Sequence, residues 1–382
     1  MPLERACWKA GPFAPLLRSG FLPLYNLSVK RSPSSPKSQS GNLQALDALF
    51  AKAGLVRNRR QSPAGVTNRL RQRRKDPATK QELTLPAPIP QVAANGAEWL
   101  PVPGWQRINW LWHGFSARRG GASRAYCADD AQGELNLGFT ADDNRESVIR
   151  NRQLLAEAIT GDASIPLVTL RQFHSNAIVV ARASDARRER PWRSDGQMTD
   201  EPGLLLAIQT ADCIPVLVAD RKRRAVAAFH AGWRGTVKRI VETGIGRMRL
   251  EFGSRPEDLI AAIGPGVGPC CYAVGEEVLS SFESQFSYAR DLFRDVYDSD
   301  AVRTKYPMLF LTQRAPGHSP IGPSLHLDLV EANRRQLLDA GIKASAIKVV
   351  RGCTSCHPQL FFSHRASGGH AGRMFSVIGI RG

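Results

Sequence analysis

Long apolar stretches are missing from this sequence of 382 residues. A membrane helix needs about 18 or more consecutive apolar residues, whereas the longest apolar-rich run covers only residues 203–208 (GLLLAI). That run is short enough to be a buried strand. Hydrophobic residues nevertheless make up 42% of the chain, which is typical of a globular enzyme. We therefore expect a globular protein without a membrane span.

Paired cysteines in a compact disulfide pattern are also absent. The chain has seven cysteines, an odd number, and they are scattered between Cys7 and Cys356. Such a distribution favours a reducing compartment, in which thiols stay free for packing, metal binding or catalysis. We expect the cytoplasm, with the mitochondrion or a plastid as the alternative discussed next.

Acidic residues are scarce at the beginning of the chain. Residues 1–80 contain sixteen basic and three acidic side chains, so they carry thirteen of the eighteen net positive charges. We predict that residues 1–95 form a disordered basic arm, and its arginine-rich, serine-rich composition also resembles an organellar transit peptide. The rest of the chain is nearly balanced in charge, which argues against nucleic acid as the partner of the main domain.

The remaining residues alternate between short apolar runs and amphipathic stretches. They predict an α+β fold: one compact domain at residues 96–382, with mixed β-sheets flanked by helices. Predicted strands cover residues 167–170, 177–181, 204–208, 214–219, 225–229, 259–263 and 347–350. Predicted helices cover residues 145–159, 236–252, 276–285, 291–297 and 327–340.

Three polar residues stand where predicted strands meet loops, which is where rigid scaffolds present catalytic groups. They are His174, Cys213 and His230. Imidazole and thiolate are the ligands that zinc prefers, and three protein ligands leave a fourth position for water or substrate. The spacing alone does not identify a metal site, because a single buried cysteine or histidine is more often a packing residue.

A resemblance adds to this interpretation. The chain is similar, from about Trp110 to Arg381, to the laccase-domain (YfiH-like) family, formerly described as multicopper polyphenol oxidases and now as zinc-dependent purine nucleoside phosphorylases. The motifs that carry the resemblance, in chain order, are residues 113–118 (HGFSAR), 120–123 (GGAS), 135–138 (LNLG), 172–174 (QFH), Asp195, 210–213 (TADC) with Pro215, 230–235 (HAGWRG), 263–266 (IGPG), 271–275 (CYAVG), 326–329 (HLDL), 361–365 (FFSHR) and 372–373 (GR).

The resemblance implies that His174, Cys213 and His230 are the zinc ligands. It implies further that Arg118 is an active-site arginine and that Asn136 and Arg234 belong to motifs lining the pocket. Arginine suits phosphate because its planar guanidinium binds two phosphate oxygens at once. The same zinc ion would activate water for deamination of adenosine. Deamination also needs a proton shuttle, for which the sequence offers Asp195 or Asp212; Asp212 alternatively serves only to form a turn.

The expected ligands are therefore purine nucleosides and phosphate, bound by a monomer or homodimer. Two other activities remain open within the resemblance: hydrolytic editing of peptidoglycan precursors, and copper-dependent oxidation of phenols. Copper fits less well than zinc, because several copper centres need many histidines and the chain has eight in total. The alternative that is not an enzyme is a module in which the basic arm binds RNA or membranes.

Four other cysteines stand in two close pairs. Residues 353–357 (CTSCH) match the C-x-x-C-H pattern of covalent haem attachment, but nothing else indicates the secreted context that such a protein needs. We therefore interpret Cys356 and His357 as incidental. Cys270 and Cys271 are adjacent, a strained geometry for a disulfide, and we expect them to pack near the pocket.

Overall fold

The structure is a computed structural model, and it describes residues 78–127, 133–297 and 323–382. Most of the predicted basic arm, up to residue 77, lies outside the described residues, as do residues 128–132 and 298–322. The described part begins eighteen residues before the predicted start of the domain at residue 96. Residues 78–95 include two short strands and a capped helical turn, with Ala78 buried.

Sixteen strands and six α-helices make up the described residues. The strands are β1 Ala78–Thr79, β2 Gln91–Val92, β3 Glu98–Leu100, β4 Leu111–Ser116, β5 Arg119–Ser123, β6 Leu167–Val168, β7 Ile178–Val180, β8 Gly196–Thr199, β9 Leu204–Thr210, β10 Ile214–Asp220, β11 Ala225–Ala231, β12 Leu259–Ile263, β13 Phe293–Tyr297, β14 Ser324–Leu327, β15 Ile347–Val349 and β16 Met374–Ile380. The helices are α1 Lys80–Leu83, α2 Arg145–Thr160, α3 Trp233–Val237, α4 Ile240–Phe252, α5 Glu276–Glu283 and α6 Leu329–Asp339.

Two six-stranded sheets dominate the molecule. The strand order is β7-β8-β11-β10-β12-β15 in the first sheet and β2-β3-β4-β16-β9-β6 in the second. A smaller sheet joins β1, β13 and β14. Most neighbouring strands are antiparallel, but β7–β8, β12–β15, β6–β9 and β1–β13 are parallel pairs. The predicted mixture of sheets is therefore confirmed.

The central strands are apolar on both faces because each sheet is covered on both sides. In β10, Leu217 faces a core between the two sheets, whereas Val216 and Val218 face the helices α4, α5 and α6. In β9, Leu206 faces the other sheet and Leu205 packs against α2. Each fully buried aliphatic side chain contributes about 1.5–3 kcal/mol. The layers are, in order, the helices α4, α5 and α6, the first sheet, the second sheet and helix α2. Because both faces of each sheet are covered, central strands read as continuous apolar runs such as residues 203–208.

The predicted α+β class, with mixed sheets flanked by helices, is confirmed. Among the described residues, no helix combines the length and the apolar character needed to cross a lipid bilayer. The link from β9 to β10, residues 211–213, carries the chain from the second sheet to the first. This crossing point lies at the end of β9 and the start of β10, which are interior strands of their sheets. It positions the site described next.

One predicted helix is wrong. Residues 291–297 do not form a helix: a short 3-10 turn, Ala289–Leu292, leads into strand β13, which pairs with β14. Phe293 and Val296 are buried there, and the pairing with β14 outweighs the local helical pattern. The predicted helix at 236–252 is also divided, because Arg239 has a left-handed backbone (φ +58°) between α3 and α4.

Candidate metal centre and cleft

Antiparallel pairing of β10 with β11 brings two of the predicted metal ligands together at the ends of these strands. Cys213 directly precedes β10, and His230 is the next-to-last residue of β11. Because Pro215 pairs with His230, the start of β10 lies beside the end of β11. His174 approaches the same edge from the loop between β6 and β7. The topology of the sheet therefore accounts for the convergence of residues that are far apart in sequence.

The three side chains are close enough to share one ion. Their ligand atoms all lie within 4.8 Å of one another. The Sγ atom of Cys213 is 3.9 Å from Nε2 of His174, and the rings of His174 and His230 are 5.0 Å apart between centroids. Zinc–ligand bonds of about 2.0–2.3 Å place two ligand atoms of a tetrahedral site roughly 3.5–3.8 Å apart. The observed separations fit a single metal ion.

A fully buried carboxylate, Asp195, orients both histidines. One of its oxygens lies 2.8 Å from Nδ1 of His230, which leaves Nε2 of that ring for a metal. The carboxylate also accepts hydrogen bonds from the backbone amides of His174 (2.9 Å) and Ser175 (2.6 Å) and from the Ser175 hydroxyl (2.7 Å). These bonds hold His174 in a left-handed conformation, φ +62°. A carboxylate behind a histidine ligand is a frequent feature of metal sites.

The electrostatics of the group favour the ligand form of the thiol. Burial raises the pKa of Cys213, but the charge of His230 and a hydrogen bond with His174 outweigh burial and lower this pKa to about 6. Burial likewise raises the pKa of Asp195, yet hydrogen bonds from His230 and Ser175 hold it well below its usual range. The arrangement therefore stabilises a thiolate beside positive charge, which is what a bound cation also provides.

Space for these ligands depends on a residue without a side chain. A Cβ atom on Gly232 would lie 2.9 Å from Sγ of Cys213 and 2.9 Å from Cδ2 of His174. Contacts this short force neighbouring atoms to move. Glycine at this position therefore lets the chain pass directly beside two of the three ligand side chains.

A cleft of about 800 Å³ opens onto these side chains. This volume is in the range of small-molecule sites. It is lined by Leu170, Arg171, Gln172, His174, Gln209, Ala211, Asp212, Cys213, His230, Trp233, Tyr272, His364, Arg365, Gly368, Gly369 and Arg373. The guanidinium of Arg365 stacks over the ring of Tyr272 at 5.1 Å. The cleft thus combines two aromatic rings and several arginines with the three candidate ligands.

Asp212 is the predicted catalytic residue that the structure does bring to the cleft. Its carboxylate accepts hydrogen bonds from the hydroxyls of Thr354 (2.6 Å) and Ser363 (2.7 Å) and from the backbone amide of Arg365 (2.7 Å). Its backbone is left-handed, φ +92°. Asp212 therefore fastens the segment that carries Arg365 to the link between the two sheets.

The other predicted catalytic residues do not line this cleft. Arg118 donates to Glu134 (2.6 Å) and to the carbonyls of Pro358 (2.7 Å) and Tyr126 (2.8 Å), beside a separate, smaller cavity of about 300 Å³. Every part of its guanidinium thus has a structural contact. Its role in catalysis stays a prediction that this geometry does not support.

Asn136 and Arg234 lie near the cleft but behind or beside its wall. Asn136 is fully buried and accepts a hydrogen bond from the backbone amide of Arg373 (2.8 Å). Arg234 is exposed, with its guanidinium 4.3 Å from the ring centre of Trp233. Neither residue lines the cleft itself, but Asn136 contacts Arg373 and Arg234 contacts Trp233, which do. Their predicted roles therefore stay predictions, as residues that position the lining of the cleft.

Sequence reasoning missed Arg365 and Tyr272 as residues that line the cleft. Both stand in motifs that carried the resemblance, residues 361–365 and 271–275, but neither motif shows which of its side chains faces a ligand. In the described part of the chain, no hydrogen bond or ion pair occupies the guanidinium of Arg365. Arg365 and Arg171, which also lines the cleft, are therefore the arginines whose guanidinium groups can meet an anion there.

Sequence reasoning interpreted Cys356 as incidental and Cys270 and Cys271 as packing residues, and it did not predict that these three cysteines and Cys353 lie together. The Sγ atoms of Cys270, Cys271, Cys353 and Cys356 all lie within 4.8 Å of one another. We call these four residues the cysteine cluster. Pairing between distant loops creates it, and no local pattern in the sequence reveals it.

Comparison with known proteins shows the family to which the chain belongs. The family described as multi-copper polyphenol oxidoreductase laccase matches residues 112–381. The chain belongs to this family. The expected resemblance is therefore confirmed, over a region that contains the cleft, the three candidate ligands and the cysteine cluster.

The match to this chain covers most of the length of individual relatives. A purine nucleoside phosphorylase of Bacteroides thetaiotaomicron is 34% identical over 271 residues, which is 70% of this chain and 90% of the relative. The adenosine deaminase RL5 of an unknown prokaryotic organism is 31% identical over 255 residues, 65% of this chain and 88% of the relative. The crystal structure of YlmD from Geobacillus stearothermophilus matches with a TM-score of 0.61 and 32% identity, covering 77% of this chain and 99% of YlmD.

Proposed function

We propose that this protein is a zinc-dependent purine nucleoside phosphorylase that also deaminates adenosine. One observation carries the proposal: the ligand atoms of His174, Cys213 and His230 lie within 4.8 Å of one another at the surface of a cleft of about 800 Å³. The names of two relatives, a purine nucleoside phosphorylase and an adenosine deaminase, supply the two reactions.

The residues present fit a zinc ion. Two imidazoles and one thiolate are preferred zinc ligands, and three of them leave a coordination position open toward the cleft. The contact of Asp195 with His230 is the outer contact that histidine ligands of zinc usually make. A zinc ion in this place would supply Lewis-acid activation of a nucleophile or of a substrate oxygen.

Phosphorolysis needs a phosphate dianion held beside the sugar. A phosphate oxygen attacks C1′ of the ribose, the bond from C1′ to the purine nitrogen breaks, and the base leaves with the bonding electron pair and takes up a proton. We propose that Arg365 binds the phosphate, because it lines the cleft and its guanidinium, which lies over the ring of Tyr272, makes no hydrogen bond or ion pair within the described part of the chain. Arginine stays charged and can bind two phosphate oxygens.

The aromatic lining suits a purine. Trp233 and Tyr272 both line the cleft, and planar rings of this kind stack on bases. Burial raises the pKa of Tyr272 to about 12, so the phenol stays neutral and can donate a hydrogen bond. These two rings would hold the base while the sugar lies toward Arg365.

Deamination replaces the amino group at C6 of adenosine: water adds at C6 and ammonia leaves. Of the two aspartates predicted as proton shuttle, only Asp212 lines the cleft, so it remains our candidate. Asp195 instead acts as a positioning residue through His230. We also propose positioning roles for Asn136, through Arg373, and for Arg234, through Trp233.

The proposal is tested with purified full-length protein and adenosine or inosine, each with and without phosphate. We expect adenine or hypoxanthine together with ribose-1-phosphate only when phosphate is present, and inosine from adenosine in its absence. Cys213→Ala should lower kcat/KM by about 10³-fold, since metal activation is worth several kcal/mol. Cys127→Ser, at a cysteine that belongs to neither Cys/His group, should leave it unchanged.

Other products would contradict the proposal. Release of the base at the same rate without phosphate would indicate a hydrolase. Oxidation of phenols by copper-loaded protein, with no conversion of nucleosides, would favour the alternative of phenol oxidation. Full activity of Cys213→Ala would mean that the three candidate ligands are not the catalytic centre.

A further inference from the structure

The cysteine cluster joins two loops that follow neighbouring strands. Cys270 and Cys271 lie in the loop after β12, and Cys353 and Cys356 lie in the loop after β15. The Sγ atom of Cys356 is 3.4 Å from that of Cys270 and 3.3 Å from that of Cys271. All four sulfur atoms lie within 4.8 Å of one another.

These separations fit a tetrahedral arrangement around one ion. Zinc–sulfur bonds of about 2.3 Å place the sulfur atoms of a tetrathiolate site roughly 3.8 Å apart. The two contacts of Cys356, 3.4 and 3.3 Å, are slightly shorter than this value, and every pair of sulfur atoms lies within 4.8 Å. The space enclosed is that of a single ion and is too small for a cluster of several metal atoms.

Disulfide formation explains the arrangement less well. A disulfide bond is about 2.05 Å long, and adjacent cysteines close a strained ring. The measured contacts are more than 1 Å longer than such a bond, and all four cysteines are free. Two of them, Cys270 and Cys353, are buried. Burying four weakly hydrogen-bonding thiols against one another gains little beyond ordinary packing.

The backbone around the cluster is shaped for close approach to sulfur. The amide of Gly268 donates a hydrogen bond to Sγ of Cys353 at 3.2 Å. A Cβ atom on Gly268 would lie 3.2 Å from Sγ of Cys270 and 3.2 Å from Cβ of Cys353. Hydrogen bonds from backbone amides to thiolate sulfur are the outer contacts expected of a metal–thiolate site.

We propose that Cys270, Cys271, Cys353 and Cys356 bind one zinc ion as a structural tetrathiolate site, separate from the group formed by His174, Cys213 and His230. Four protein ligands fill a tetrahedral coordination sphere, so no position remains for a substrate. The chemical class of the ligand follows from the donors: a soft or borderline divalent ion that prefers sulfur.

The location gives this second ion a role in shaping the cleft. Thr354 lies between the two cysteines of the second loop and donates to Asp212 at 2.6 Å. Tyr272 directly follows Cys271 and lines the cleft. His357 donates to the carbonyl of Leu85 at 2.9 Å, which attaches the first described segment. One ion would thus fix three separate pieces of chain around one wall of the cleft.

The first test counts metal in the protein after dialysis against a chelator, by elemental analysis. We expect two zinc ions per chain in the unaltered protein, one in Cys213→Ala, one in Cys356→Ser and none in the double variant. Cys127→Ser should keep both ions. Cys356→Ser should also unfold at a lower Tm than Cys127→Ser, because only the former removes a ligand of the structural ion.

The second test does not depend on a variant of the cluster. X-ray absorption at the zinc edge of Cys213→Ala should show a shell of four sulfur atoms at about 2.3 Å and no nitrogen neighbours. A metal-free Cys213→Ala protein, a nitrogen-containing shell, or a mass lowered by the two hydrogens lost in a disulfide would overturn the proposal. An inactive enzyme with the sulfur shell intact would contradict only the proposed function.

Discussion

Two groups of candidate metal ligands lie in the described part of the chain, and they differ in ligand type and in access. His174, Cys213 and His230 face a cleft and supply three ligands of two chemical types. The cysteine cluster supplies four thiols, two of them buried. The comparison teaches that an open coordination position, and not the mere presence of ligands, separates a site for chemistry from a site for stability.

The two groups also differ in the polar groups that hold their ligand side chains in place. A buried carboxylate, Asp195, fixes the histidines of the open site, whereas a backbone amide, that of Gly268, contacts the cysteine cluster. A carboxylate raises the basicity of its histidine and sets the orientation of the ring. The hydrogen bond from Thr354 to Asp212 links the two regions, so a change in one can be tested for its effect on the other.

The largest difference between the two groups should appear in Asp195→Asn. This change keeps the shape of the side chain but removes the charge that orients His230, and loss of such a contact typically costs 10–100-fold in metal affinity or activity. We expect that loss at the open site, with the zinc of the cysteine cluster retained. Zinc content under increasing chelator and kcat/KM are the measurements.

Asp220→Asn is the matched control for this change. Asp220 is also fully buried and accepts hydrogen bonds from the backbone amides of Lys222 and Arg223, but it lies at the opposite end of β10. The control should lose stability without a specific loss of metal. Equal loss of both zinc ions in Asp195→Asn would show that the carboxylate supports the fold and not the open site alone.

A smaller effect is expected from Gly232→Ala. The added Cβ would lie 2.9 Å from atoms of both Cys213 and His174, and relieving such overpacking typically costs 1–3 kcal/mol. We expect metal affinity of the open site to fall by about tenfold, measured by competition with a chelator. Gly246→Ala is the control, because its Cβ would meet nothing within 4 Å and should instead favour helix α4. Unchanged affinity in Gly232→Ala would contradict the tight geometry.

Sequence alone could predict the buried strands, because burial on both faces leaves an uninterrupted apolar run such as that of β9. It could not derive the convergence of His174, Cys213 and His230. Residue spacing carries no signal when the ligands come from different strand ends; the places where strands meet loops suggested the group, and the family resemblance was needed to support it. The strand at Phe293–Tyr297 was mistaken for a helix because its partner, β14, begins only at Ser324. A partner so far along the chain cannot be identified from the local sequence.

The place of Arg365 in the cleft and the cysteine cluster were missed for related reasons. A motif gives residue types, but the direction of a side chain depends on tertiary contacts such as those that hold Arg118 against Glu134. Likewise, Cys271 and Cys356 are far apart in sequence, and their contact depends on β12 pairing with β15. Convergence of this kind is fixed by sheet topology and is not encoded in any short pattern.

The two arginines offer the finest test, because one faces the cleft and the other does not. Arg365→Gln should raise the KM for phosphate by roughly tenfold, since a hydrogen bond between charged groups is worth about 1.5–3 kcal/mol. Its stability should hardly change, because the side chain is exposed. Initial rates at varied phosphate concentration, with saturating nucleoside, measure the effect.

Arg118→Gln should show the opposite pattern. It removes the ion pair with Glu134 and hydrogen bonds to the carbonyls of Pro358 and Tyr126, so the free energy of unfolding should fall by about 2–3 kcal/mol. The KM for phosphate should stay unchanged in the folded fraction. If Arg118→Gln raises this KM and Arg365→Gln does not, then Arg118 is the phosphate-binding arginine and the assignment of that role to Arg365 is wrong.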